Sequence, residues 1–167
     1  MKIRNSILAA ALVLLASGAQ AMPILDGGWY IDEISAADTP SASSPYIFTL
    51  ASQATFSITD AFIVGDTFTV TDSILGLLLT TTIGVGGDAF GDDGAADSAW
   101  TSGDYGTGSV QLSAGDYALT VAGDGVGGVP AGFYVRLDSS AAVPAPATLA
   151  LLGLGLFGVA RLRRARS

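Results

Sequence analysis

Carboxylates are the side chains through which this sequence could do chemistry. It contains 14 aspartates and one glutamate, but no histidine and no cysteine. Imidazole bases, thiolate nucleophiles and the usual nitrogen and sulfur ligands of zinc are therefore missing. Two carboxylic acids at a suitable separation can hydrolyse a glycosidic bond, so a carboxylate glycosidase stays open as an alternative. No spacing singles out one pair of acids, and we predict that the protein is not an enzyme.

The densest group of acids lies in a glycine-rich segment of ten residues that begins at Asp88 and includes Asp92, Asp93 and Asp97. Clustered carboxylates of this kind could bind Ca²⁺, which takes about six to eight oxygen ligands. The spacing does not fit an EF-hand, because Asp93 stands at the sixth position, where that loop needs glycine. The alternative is a solvated loop that its charges keep soluble. Calcium is the one cofactor that the sequence suggests.

A second set of side chains could bind a sugar. Tyr134 and Arg136 would share one face of a strand, because side chains alternate between its two faces. Trp29 and Trp100 offer flat surfaces on which a sugar ring could stack. The alternative is that Arg136 pairs with a nearby aspartate and that the tryptophans complete a core.

A row of alternate threonines in residues 67–71 would space hydroxyl groups about 6.6 to 6.8 Å apart, which keeps ice binding as a further alternative.

Short strands must position these side chains. Between residues 22 and 142, apolar and polar residues alternate in short runs separated by glycine, aspartate and serine, as in strands with one buried face. No stretch there has a convincing helical period. We therefore predict an all-β domain, a β-sandwich or jelly roll of about six to nine strands. Strands are predicted at 46–50, 55–59, 67–71, 77–83, 117–121 and 133–137. Leu77, Leu78 and Leu79 are apolar on both faces and are predicted to lie centrally in a sheet.

Positive charge lies almost entirely at the two ends of the chain. Seven Lys and Arg against 15 Asp and Glu give a net charge of −8, and Arg136 is the only base between residues 22 and 143. So acidic a surface repels phosphate backbones, which excludes nucleic-acid binding.

Residues 1–21 combine a basic start, an apolar run and small residues at Ala19 and Ala21. They are typical of a secretory signal peptide that signal peptidase cuts after Ala21.

Residues 143–167 combine a proline motif, an apolar run and a basic end. The motif is Val143, Pro144, Ala145 and Pro146, and the basic end contains Arg161, Arg163 and Arg164. As a helix, residues 147–160 would extend roughly 21 Å, short of the roughly 30 Å hydrocarbon core of a bilayer. The arginines are expected to stay in the cytoplasm. We therefore expect a single short transmembrane segment that holds an exported chain transiently at the inner membrane.

These C-terminal residues resemble the sorting signal of PEP-CTERM proteins, in which Val-Pro-Glu-Pro precedes an apolar helix and a basic end. Ala145 stands where that family usually has glutamate. The resemblance implies recognition by an exosortase, a membrane-embedded transpeptidase-like enzyme of Gram-negative bacteria that make exopolysaccharide. The segments 57–66, 112–117 and 134–138 are also similar to an ectodomain common in that class, for which no catalytic residues are assigned.

From the two ends of the chain we expect a non-catalytic protein of the cell surface or extracellular matrix. The alternative is a carbohydrate-binding or adhesin module that contacts exopolysaccharide. The expected organisation is a signal peptide (1–21), a β-sandwich (22–142) and a sorting signal (143–167).

Overall fold

Eight β-strands and one helix make up the part of the chain that this computed structural model describes, residues 22–60, 62–86 and 93–140. The predicted signal peptide and sorting signal lie outside these residues. In chain order the elements are β1 (Tyr30–Ile34), β2 (Tyr46–Leu50), β3 (Ala54–Asp60), β4 (Phe68–Asp72), β5 (Gly76–Thr80), α1 (Asp93–Ser102), β6 (Thr107–Leu112), β7 (Gly115–Gly123) and β8 (Ala131–Ser139). The alternating runs at 46–50, 55–59, 117–121 and 133–137 fall on strands as the sequence predicts, and the run at 67–71 does so from Phe68 onward. The strand predicted at 77–83 ends at Thr80, and neither β1 nor β6 is among the strands predicted from the sequence.

The strands pair as if one long hairpin had been rolled up. β1 pairs with β8, β2 with β7, β3 with β6 and β4 with β5, all antiparallel. Two further pairings, β3 with β8 and β4 with β7, complete a first sheet of order β1-β8-β3-β6 and a second sheet of order β2-β7-β4-β5. Two four-stranded sheets connected in this way form a jelly roll. The predicted β-sandwich is therefore confirmed.

Alternate side chains of both sheets fill the space between them. Phe56 of β3, Phe68 of β4 and Phe133 of β8 are all fully buried. The Phe68 and Phe133 rings meet across the two sheets with their centroids 4.8 Å apart. This packing has to stabilise the fold without disulfides, because the chain contains no cysteine.

The predicted central position of Leu77, Leu78 and Leu79 is wrong. β5 lies at the edge of the second sheet, and Leu77 is 65% exposed. The pairing of β5 with β4 shifts register between Val70 and Thr71, so Leu79 pairs with Val70 while Leu77 pairs with Thr71. This irregularity leaves Leu78 and Leu79 packed against the core and Leu77 facing solvent.

Helix α1 occupies part of the acid-rich segment, where the sequence indicates no helical period. Ala96 and Ala99 are fully buried, and Trp100 extends the same side of the helix by one residue. Two alanines and one tryptophan make an apolar stripe too small to stand out as a periodic pattern. The helix therefore depends on the surface it packs against, as most short protein helices do. In the described ranges, no helix is both long and apolar enough to cross a membrane.

Aspartates attach several loops to the sheets. Asp72 accepts hydrogen bonds from the backbone N–H groups of Ile74 and Leu75 at 2.9 Å and of Ala118 at 3.1 Å. These bonds favour the charged carboxylate and lower the pKa of Asp72. Burial opposes ionisation of Asp124, but hydrogen bonds from the Thr67 hydroxyl and backbone N–H outweigh it, so the pKa of Asp124 is also lowered.

Asp72→Ala is expected to lower the free energy of unfolding by about 1 to 3 kcal/mol at pH 7, because three backbone N–H groups lose their acceptor. The folded-state pKa of Asp72 is depressed. Its ionic contribution is therefore present above the unfolded-state value of about 3.9 and is lost as pH falls through the folded-state value. Urea unfolding at a series of pH values should show the difference between the two proteins shrinking below about pH 4.

The matched control for this prediction is Asp116→Ala. Asp116 is exposed and accepts a hydrogen bond from the Thr49 side chain. Removing it should change stability by no more than about 0.5 kcal/mol. Equal losses in the two variants would show that the bonds to the β4–β5 turn are not what makes Asp72 stabilising.

Candidate functional site

The residues suggested for sugar binding meet where α1 packs against the outer face of the first sheet. Arg136 points outward from β8 because its neighbours Val135 and Leu137 point into the core. Trp100 approaches from the last turn of α1, and Trp29 immediately precedes β1. We use the name tryptophan–arginine cluster for Trp29, Asp97, Trp100, Arg136 and Asp138.

Arg136 is held by two carboxylates and an indole ring. Its Nε donates to Asp138 Oδ2 at 2.7 Å, and its Nη1 donates to Asp97 Oδ1 at 3.1 Å. Its Cζ atom lies 4.4 Å from the centroid of the Trp29 ring, well inside the range of a cation–π contact. Arg136 thus pairs with neighbouring aspartates, the alternative that the sequence left open.

Trp29 joins the first sheet to α1. Its Nε1 donates to Asp97 Oδ1 at 2.8 Å, and its ring centroid lies 5.7 Å from that of Trp100. Trp29 is 8% exposed, so its ring completes a small core under the helix instead of facing solvent. Trp100 is only half-buried. Of the two tryptophans, Trp100 is therefore the one that a ligand could reach.

Tyr134 also lies beneath this surface. It is 3% exposed, and the Phe62 ring stacks on it with the centroids 5.6 Å apart and the planes 11° from parallel. A sugar could stack on Tyr134 only if Phe62 moved away. The sequence correctly indicated that Tyr134 and Arg136 share a face, but it contained no signal for Phe62, which covers that tyrosine.

Asp138 and Asp97 are the aspartates that pair with Arg136, and neither was named as its partner from the sequence. Arg136 and Asp138 are two residues apart on one strand, so their shared face could have been inferred from spacing alone. Asp97, by contrast, was suggested as a calcium ligand, and the structure shows one of its oxygens accepting bonds from both Trp29 and Arg136. No local signal in the sequence connects Asp97 with either partner.

Most of the acids suggested for calcium lie outside the described residues or at their edge. Asp88 and Asp92 lie outside them, and Asp93 is described only as the first residue of α1. Within residues 22–60, 62–86 and 93–140, no group of three or more acidic side chains is placed to hold a metal ion.

The threonine row at 67–71, which begins one residue before β4, uses its hydroxyl groups within the protein. Thr69 and Thr71 donate to the backbone carbonyls of Ala122 and Thr120 at 3.3 and 3.4 Å. Thr67 binds Asp124 through its hydroxyl group. The hydroxyl hydrogens of this row are therefore directed at neighbouring groups of the protein and not at an ordered water lattice.

A cleft of about 430 Å³ opens beside Phe62 at one end of the first sheet. Its walls combine apolar groups such as Ile31 and Ile63 with the acids Asp32, Glu33 and Asp66. Burial raises the pKa of Asp66, although a hydrogen bond from the Gly127 backbone N–H at 2.6 Å acts in the opposite direction. That bond attaches the β7–β8 connection to the loop before β4, which gives Asp66 a structural role.

Comparison with known proteins identifies the C-terminal segment. The model of the PEP-CTERM protein-sorting motif matches residues 142–164, which confirms the resemblance read from the sequence. No curated protein sequence matches the chain. Among solved structures, a carbohydrate-binding module from the Cellvibrio mixtus lichenase 5A, in complex with cellotriose, is similar with a TM-score of 0.35 and 13% sequence identity. The match covers 69% of this chain and 89% of that one, and at this TM-score nothing about ligands follows from it.

Proposed function

We propose that this protein is a non-catalytic component of the cell surface or extracellular matrix, exported and then processed at its C-terminal tail by an exosortase-like enzyme. The sorting motif at residues 142–164 carries the proposal, because it indicates export and sorting. The predicted signal peptide supplies the route through the inner membrane. The middle of the chain has one arginine among many acids and therefore crosses the inner membrane readily, while the arginines after residue 160 stay in the cytoplasm.

The roles of the acids in the folded body support the absence of catalysis. Asp32 accepts a hydrogen bond from the buried Tyr46 hydroxyl at 2.6 Å and another from the Ser43 backbone N–H at 3.2 Å. Asp26 accepts from the Ser139 backbone N–H at 2.8 Å. Like Asp72 and Asp124, these carboxylates attach connecting segments to strands. A glycosidase would need two carboxylates free to exchange protons with a substrate.

Mass spectrometry of the protein recovered from the surface of the producing cell tests the sorting step. The mature chain is expected to lack residues 1–21 and also Arg161 to Arg166. Replacing both Pro144 and Pro146 with alanine should remove the extended backbone that a protease binds and leave an uncut precursor in the inner membrane.

Ala145→Glu is the matched control for the proline variant, because it restores the residue usual in the family at the same motif. It should be processed at least as completely as the natural sequence. Surface protein that still carries Arg161 to Arg166 would contradict processing, and the intact chain in the cytosol with Met1 attached would contradict export.

We also propose, as a second candidate function, that the exposed side of the tryptophan–arginine cluster binds a polysaccharide. Trp100 is half-buried, and the side chains of Asp97 and Asp138 in the same cluster are 61% and 38% exposed. A ring face with hydrogen-bond acceptors at its edge suits a sugar, which has apolar C–H faces and a rim of hydroxyl groups. The carboxylates are already oriented by Arg136, so little side-chain freedom would be lost on binding.

Trp100→Ala is expected to weaken retention of the protein on the producer's own exopolysaccharide by about tenfold, equivalent to about 1.4 kcal/mol of binding energy. Ile47→Ala is the matched control, because Ile47 is 62% exposed on the outer face of the second sheet. Repeating the retention measurement in the presence of a chelator tests whether binding to the polysaccharide needs calcium. Equal retention of both variants, or no retention on any polysaccharide tested, would remove this candidate.

A further inference from the structure

The tip of the β4–β5 hairpin presents large aliphatic side chains to solvent. Ile74 is 84%, Leu75 63% and Leu77 65% exposed. No charged residue occurs from position 73 to position 86. Neighbouring exposed aliphatic side chains on a soluble domain mark a surface that contacts something, whereas single exposed ones are ordinary. We use the name aliphatic tip for Ile74, Leu75 and Leu77.

The backbone of the aliphatic tip is held in this exposed geometry. The backbone N–H groups of Ile74 and Leu75 both donate to Asp72 Oδ1 at 2.9 Å. Gly76 follows with φ at 78°, in the left-handed region that favours glycine. Folding the tip back onto the sandwich would break both hydrogen bonds, so the apolar side chains are preorganised to face outward.

The chain leaves the sandwich at the same end as the aliphatic tip. Leu50, the last residue of β2, lies beside the start of β7, and the Ser73 backbone N–H donates to Ala118 O near that start. Residues 51–53 then cross from the second sheet to the first. The Ser140 backbone N–H donates to Gln53 O at 3.1 Å, which places the last described residue beside this crossing.

The length of the following segment limits how far this end can be from the membrane. Eight residues, 141–148, separate Ser140 from the apolar run that begins at Leu149. Fully extended, they span at most about 26 to 29 Å. The two sheets of a sandwich lie about 10 Å apart and neighbouring strands about 4.8 Å. The distance from the tip to the exit point is therefore no greater than the roughly 26 to 29 Å that the connecting segment can span. When the apolar run is in a bilayer, the exit point lies within about 26 to 29 Å of that run, so the aliphatic tip at the same end of the sandwich can reach the lipid surface.

We propose that the aliphatic tip contacts the lipid surface while the sorting segment holds the chain at the inner membrane, and that it orients the sandwich there. The inference rests on the proposed function, since the tail must first be in the bilayer. Aliphatic side chains partition into the interfacial region through burial of apolar area. Asp26 and Asp116 lie at the same end and disfavour anionic headgroups. The contact is therefore apolar and does not require anionic lipid.

The absence of cysteine allows a single fluorescent label to test this contact in the full chain. Leu75→Cys carries an environment-sensitive dye at the tip, and the protein is reconstituted in phosphatidylcholine vesicles that contain a lipid with a nitroxide near its headgroup. Val126→Cys is the matched control, since Val126 is 75% exposed in the β7–β8 connection at the opposite end. We expect quenching to be at least about threefold stronger at position 75 and unchanged by added anionic lipid.

Vesicle sedimentation separates failure of this inference from failure of the proposed function. If the chain sediments with the vesicles but both labels are quenched equally, the lipid contact is wrong and anchoring by the tail stands. If the chain stays in the supernatant, the anchoring step of the proposed function fails and the lipid contact fails with it. A blue-shifted but unquenched label at position 75, together with a dimer in analytical ultracentrifugation, would assign the tip to a second copy of the chain and overturn the lipid contact.

A second variant confirms that the neighbouring aliphatic side chains drive the contact. Ile74→Ser in the labelled Leu75→Cys protein should reduce quenching at least about twofold, because apolar area at the tip is lost. Ile74 is 84% exposed, so this substitution should leave the fold intact. Unchanged quenching would mean that the label itself, and not the natural tip, is in contact with the lipid.

Discussion

Phe133→Ala is expected to lower the free energy of unfolding by about 3 to 5 kcal/mol. Phe133 is fully buried on β8, which lies between β1 and β3 in the first sheet, and its ring packs against Phe68 of the second sheet. Truncation would leave a cavity between the two sheets. A loss of this size is a large share of the stability of an ordinary domain. Urea unfolding monitored by circular dichroism measures it.

Ile47→Ala is the matched control for the core substitution. It also shortens an aliphatic side chain on a strand, but Ile47 is 62% exposed. Its effect should stay within about 0.5 kcal/mol. A loss below about 1 kcal/mol for Phe133→Ala would mean that the two sheets can close over the missing ring, against the packing described above.

Trp29→Ala is expected to have a comparable effect, about 3 to 5 kcal/mol, and to release α1 from the first sheet. The substitution removes the ring on which Arg136 lies and the Nε1 donor to Asp97. Because the buried stripe of α1 is small, the helix would then depend mainly on the ion pair between Asp97 and Arg136, whose support by the Trp29 ring is also lost. Hydrogen exchange should show faster exchange of the amides of Asp93–Ser102, while the amides of β3 and β8 keep most of their protection.

Trp29→Phe separates the two contributions of this side chain. It keeps an aromatic ring under Arg136 and loses only the hydrogen bond to Asp97, so it should cost about 0.5 to 1.5 kcal/mol. Unchanged exchange of the α1 amides in Trp29→Ala would contradict the role of Trp29 as the main attachment of the helix.

The structural role of the tryptophan–arginine cluster and its proposed role in sugar binding are compatible. Trp29 and Arg136 are fixed by packing and ion pairs, and this fixes Asp97 and Trp100 at the surface. A binding site needs such support from residues that do not themselves touch the ligand. Trp100→Ala therefore tests binding with less damage to the fold than Trp29→Ala, which should affect both.

The sequence by itself located six of the eight described strands, all except β1 and β6, and it determined the sandwich class and the sorting signal. Side chains alternate along a strand whatever surrounds it, so runs such as 55–59 and 133–137 indicate directly which residues point into the sandwich. The same pattern does not show that Ser57, Thr59 and Tyr134, on the other face of those strands, are also buried. The sorting motif is likewise a local property, a short segment of prolines, apolar residues and arginines. Its match at residues 142–164 needed no tertiary structure.

Only the tertiary structure decided where β5 lies, that α1 forms, and which residues meet under the helix. The edge position of Leu77 follows from strand pairing and a register shift, neither of which is a property of the leucine run. The contacts of Asp97 join residues 68 and 39 positions away along the chain, Trp29 and Arg136. Local periodicity cannot report such pairs, because they exist only after the rolled hairpin has brought β1, β8 and the helix onto one face.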